Sequence, residues 1–81
     1  MRVTVRLFAR LRELVGAGEL QRDAPGGATV ATVWDALACD YPAIAPYAGS
    51  ISCAVNAEYA RMTTPLGDGD EVAFLPPVSG G

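Results

Sequence analysis

The chain closes on Leu75-Pro76-Pro77-Val78-Ser79-Gly80-Gly81, and the paired prolines set a hard limit on what it can fold into. Proline holds φ near one value and has no N–H to give to a β-ladder, so a strand arriving at Leu75 must stop there. Residues 1–75 are therefore expected to form the folded domain and residues 76–81 an extended tail. Two glycines finish that tail. Without Cβ atoms, the last carboxylate can enter a channel too narrow for any side chain, and the bare backbone gives a partner groups to grip. Extended residues advance roughly 3.3 Å each, so a tail from Pro76 to Gly81 reaches about 20 Å, enough to cross the wall of a partner's active site. These residues point to the α-carboxylate of Gly81 as the reactive group. A terminus that simply frays requires neither paired prolines nor a terminal Gly-Gly.

Little else in the sequence offers chemistry. Histidine is absent, which removes the usual neutral-pH base and the commonest metal ligand. A length of 81 residues with 51% hydrophobic content fits one small globular domain with a modest core. No apolar run approaches a membrane span, and Met1-Arg2-Val3-Thr4-Val5-Arg6-Leu7 lacks the apolar core and cleavage site of a secretory signal. A cytoplasmic location with no membrane partner is expected. Six basic against nine acidic residues give a net charge of -3, which works against nucleic acid as a partner. All six basic residues are arginine, so the side chains offer no amine for isopeptide attachment. Codon preference is the simpler account of that bias. Cys39 and Cys53 lack CxxC spacing and His companions, so no metal or redox pair is expected. Cys53 reads as a core thiol and Cys39 as an exposed one.

Along the chain, Val3, Val5 and Leu7 alternate with polar residues as in a half-covered strand. Phe8, Leu11, Leu14 and Val15 then share one side of a short helix that Gly16 can cap. Glu19 to Asp23 reads as a second strand, followed by a turn at Pro25-Gly26-Gly27. Thr29 can cap a main helix whose inner face is Val30, Val33, Trp34, Leu37, Ala38 and Tyr41, ending before Pro42. Ala43 to Ser50 reads as a loop that can include a 3₁₀ turn. Ile51 to Asn56 is a strand, Asn56-Ala57-Glu58 a tight turn into a short strand near Tyr59, and Glu71 to Leu75 the last strand. Asp68-Gly69-Asp70 lacks the remaining ligands of a calcium loop and reads as a turn. This order gives an α+β roll of the β-grasp, ubiquitin-like kind: a mixed sheet of about five strands with one main helix on one face, the last strand parallel to the first.

Phe8-Ala9-Arg10-Leu11-Arg12-Glu13-Leu14-Val15-Gly16, Val55-Asn56, and the run from Pro65-Leu66-Gly67-Asp68-Gly69-Asp70-Glu71 through Pro76-Pro77-Val78-Ser79-Gly80-Gly81 closely resemble the small subunits of molybdopterin synthases. These are sulfur carriers of the MoaD/ThiS, ubiquitin-like group. The resemblance implies that an E1-like activating enzyme, using ATP and Mg, adenylates the carboxylate of Gly81, and that a sulfur donor protein then converts it to a thiocarboxylate. No stably bound cofactor is implied. It further implies a heterotetramer in which the tail, Pro77, Val78, Ser79 and Gly80, enters the large catalytic subunit. There the thiocarboxylate gives its sulfur to a cyclic pyranopterin precursor of the molybdenum cofactor. Catalytic groups would belong to the large subunit, consistent with the missing histidine.

Docking needs an apolar patch near the tail. With Val72 and Phe74 facing the main helix, Ala73 and Leu75 fall on the open face of the sheet. Matching positions in the family make Phe8, Tyr59, Leu75 and Val78 the interface candidates. For Phe8 a core position in the first helix is an equal alternative, and Arg12 on that helix reads as a solvated residue ahead of a contact with a partner carboxylate. Two other functions share the fold and the Gly-Gly ending: a sulfur carrier for thiazole, cysteine or tRNA thiolation, and a ubiquitin-like protein modifier.

Overall fold

Alternation decides the first strand. In the computed structural model, which describes residues 1–77, β1 (Arg2–Leu7) turns Val3, Val5 and Leu7 inward and leaves Arg2, Thr4 and Arg6 on the other side. A short helix α1 (Ala9–Val15) follows, closed by Gly16 at φ 85°, whose N–H donates to the Arg12 carbonyl at 2.8 Å. That left-handed corner is where a glycine belongs. Strand β2 (Glu19–Asp23) returns antiparallel to β1, with Arg2 opposite Asp23 and Arg6 opposite Glu19. Helix α2 (Val30–Asp40) starts at Thr29, whose hydroxyl accepts from the Thr32 N–H while the Thr32 hydroxyl accepts from the Thr29 N–H. This is a capping box with Thr in place of the usual Glu.

Strands β3 (Ser52–Val55), β4 (Glu58–Ala60) and β5 (Glu71–Leu75) complete a five-stranded sheet in the order β2-β1-β5-β3-β4. The last strand lies centrally, parallel to β1 and antiparallel to β3. This is the β-grasp roll expected from the sequence, with α2 across one face. Val30, Val33, Trp34 and Leu37 of α2 meet Val3, Val5, Leu7, Val72 and Phe74 of the sheet in one core. Its centre is an edge-on contact between the Trp34 and Phe74 rings, 5.0 Å between centroids. Cys53 points into this core and burial pushes its thiol pKa up, whereas Cys39 is exposed. Two elements differ from the sequence reading. The 3₁₀ turn allowed in the loop is a six-residue 3₁₀ helix, Pro42–Tyr47, longer than expected, and it delivers Ile44 to the core with no exposed surface. The first helix begins after Phe8, not at it: Phe8 is extended at φ -128° and ψ 154°, and Ala9 at φ 51° makes an abrupt corner.

The segment Pro65–Asp70 is held by its acidic residues acting as hydrogen-bond acceptors. The Asp68 carboxylate accepts from the Arg2 N–H at 2.8 Å, and that of Asp70 from the Gly67 N–H at 2.7 Å and the Asn56 amide at 3.0 Å. The Gly67 bond, then the Asn56 bond, holds the Asp70 pKa below its usual value. A carboxyl whose folded pKa is depressed stabilises the fold above its unfolded pKa, and that contribution is lost as pH falls through the depressed value. Urea midpoints should therefore drop on acidification below about pH 4, and Asp70→Asn should flatten that slope relative to wild type. An unchanged slope would remove Asp70 from this role.

Candidate functional site

The face of the sheet away from α2 is built on small residues. Arg6 of β1, Ala73 of β5, Ala54 of β3 and Tyr59 of β4 stand opposite one another in a single row across four strands. The two central methyl groups leave a hollow of about 320 Å³, lined also by Phe8, Ala57, Glu71 and Leu75. Alternation along β5 explains why: Val72 and Phe74 are spent on the core, so Glu71, Ala73 and Leu75 face out.

Each large apolar wall has a local cause. Phe8 reaches this face because the left-handed Ala9 turns α1 away behind it; Phe8 is 39% exposed and lies outside the core, which settles its two sequence readings against burial. Non-glycine residues in this region of φ cost on the order of 1 kcal/mol, a strain that clusters at functional surfaces. Tyr59 is 86% exposed, the most exposed large hydrophobic side chain among the described residues. It is presented by the two-residue turn Asn56–Ala57, with φ of 51° and 70°, the type that matches the twist of paired strands. Leu75 ends β5 and is half-buried, directly before Pro76 and the exposed Pro77. The hollow therefore sits at the root of the tail. Val78, Ser79, Gly80 and Gly81 lie outside the described residues.

Strand register brings in residues that the sequence reading did not assign to a site: Arg6, Ala54, Ala57 and Glu71. Their signal was present in the pairing of β1 and β3 with β5, which single-strand alternation cannot supply. The Arg6 guanidinium lies over the Phe8 ring, 5.8 Å from its centroid, and forms long ion pairs with Glu19 and Glu71. Arg12 is exposed on α1, as a solvated helix residue would be. Among the described residues no three His, Cys, Asp or Glu side chains gather to hold a metal, and no helix is long and apolar enough to cross a membrane. The face offers an apolar, partly aromatic surface for docking, with a charged corner and no side-chain nucleophile paired to a base.

Comparison with known proteins agrees in kind. The sequence profile of the ThiS family matches residues 5–81. A molybdopterin synthase sulfur carrier subunit from Escherichia coli is 43% identical over 83 residues, covering 98% of this chain and 99% of that protein. The crystal structure of SAMP1 from Haloferax volcanii superposes with a TM-score of 0.88 at 35% identity, covering both chains fully at 100%. A complex of subunits 1 and 2 of the molybdopterin-converting factor from Helicobacter pylori contains a chain matched with a TM-score of 0.69 at 27% identity, again with 100% coverage of each.

Proposed function

This chain belongs to the ThiS family, and we propose that it serves there as the sulfur-carrying subunit of a molybdopterin synthase. The observation that carries this reading is the apolar hollow at the tail's root: Tyr59, Phe8 and Leu75 stay accessible on a helix-free face, beside the residue from which the tail departs. A large catalytic subunit seated on that face would receive the tail directly. Its active site would close around Gly80 and Gly81, and the folded domain would supply most of the contact area.

The chemistry follows from the weakness of a carboxylate as an electrophile. An activating enzyme with Mg-ATP joins a Gly81 carboxylate oxygen to the α-phosphate and releases pyrophosphate. Sulfide displaces AMP and leaves –COS⁻ directly; a donor protein's persulfide displaces AMP to give an acyl disulfide, whose S–S bond a thiol then reduces to release –COS⁻. This thiocarboxylate is ionised and soft at neutral pH, and docking holds it at high effective concentration near the pyranopterin precursor. Transfer of its sulfur and entry of water oxygen restore the carboxylate. Incubation with activating enzyme, Mg-ATP and a sulfur source should exchange one oxygen of the chain for sulfur, located by mass analysis on the terminal peptide. Sulfur found on Cys39 or Cys53 in its place would refute the assignment.

Docking gives a separate expectation. Tyr59→Asp or Leu75→Asp places a charge where the large subunit should bury apolar surface, so calorimetric affinity should fall at least about thirtyfold while the unfolding transition persists. Unchanged affinity would exclude that residue from the interface. Likeness to SAMP1, the small archaeal modifier protein 1 of Haloferax volcanii, favours attachment to other proteins as the second reading. Anti-tail blots of cell extracts showing a ladder of conjugates would favour it.

A further inference from the structure

The charged corner of the open face is incompletely neutralised. Arg6 stands between two carboxylates, with Nε 3.7 Å from Glu19 Oε1 and Nη1 3.7 Å from Glu71 Oε2. Both contacts are longer than a hydrogen bond. One cation thus serves two anions, and it is drawn further toward the Phe8 ring. All three side chains remain between 41% and 58% exposed, so water now supplies what the ion pairs do not. Glu71 also lines the hollow. Any surface that fills the hollow strips water from its carboxylate, and a carboxylate dried without a close donor opposes binding.

Resting on the docking reading above, we propose that the surface covering this face carries an arginine or lysine set against Glu71, beside the apolar group that enters the hollow. The corner is then a recognition element for the large subunit, acting with the net charge of -3 on the whole chain to draw in a basic surface. Arg6 remains with Glu19, and the incoming cation completes the set.

The test is the association rate of the full chain with the large subunit of molybdopterin synthase, at salt concentrations of roughly 0.01 M and roughly 0.15 M, where charges act over about 30 Å and about 8 Å. Glu71→Gln should slow association about fivefold at low salt, Glu71→Arg should slow it more, and both gaps should narrow at high salt. The Glu71 N–H bond to Asn56 is made by backbone and survives either change, and near-isosteric Gln carries the test if Arg disturbs the fold. Association of Glu71→Gln as fast as wild type at both salt concentrations overturns the proposal. Tyr59→Asp is the comparator: if it binds poorly while Glu71→Gln is normal, only the charged corner is wrong. If Tyr59→Asp binds like wild type, this face is not the interface, and the docking reading falls with the proposal.

Discussion

Removing Gly81 is expected to abolish sulfur transfer while leaving the complex with the large subunit intact. The shortened tail would hold its reactive group about 3.5 Å from the position it needs. Misplacement of even 1 Å can cost on the order of a hundredfold, so turnover should fall at least that far. Gly81→Ala should fail in the same way, because its methyl group meets the channel wall. Affinity should change little, since contact area belongs to the hollow around Tyr59, Phe8 and Leu75, and the loss therefore appears in kcat. Each variant would be thiocarboxylated chemically before assay, so that a failure to be activated is not mistaken for a failure to transfer.

Phe74→Ala should have the largest effect on stability. Phe74 is fully buried, packs edge-on against Trp34, and sits on the central strand between β1 and β3. Truncating such a ring costs about 3–5 kcal/mol, most of what a domain of this size has to spare. Thermal unfolding should shift down by roughly 15 °C or more, or leave no folded protein at all. Tyr59→Ala, two strands away on the open face, should stay within about 0.5 kcal/mol of wild type. Equal losses for the two would contradict the assignment of inner and outer faces.

Where the apolar period was clean, the sequence carried the fold. Val3, Val5 and Leu7 specified the face of β1, and Val72 and Phe74 that of β5. Thr29 marked the start of α2, and Gly16 the end of α1. Ile44 was hidden because two prolines in Pro42–Tyr47 look like a loop, although proline also suits the first turn of a 3₁₀ helix. For Phe8 the sequence left an interface position and a core position equally open, and it set the start of α1 one residue early. Helical spacing to Leu11 placed it on α1, and a left-handed alanine at Ala9 leaves no trace in composition. Tyr59 and Leu75 were placed through the family's matching positions and the strand alternation. Arg6 and Glu71 were not, since their meeting depends on the parallel register of β1 and β5.

The central claim is that Gly81 carries the sulfur that reaches the product, and a single-turnover transfer tests it most directly. The chain would be loaded with a radiolabelled thiocarboxyl sulfur, mixed with the large subunit and the pyranopterin precursor, and both products followed. The label should move to the pterin as the chain returns to a C-terminal carboxylate, in matching amounts. Dithiolene formation with the label still on the carrier, or loss of label as free sulfide without product, would contradict it.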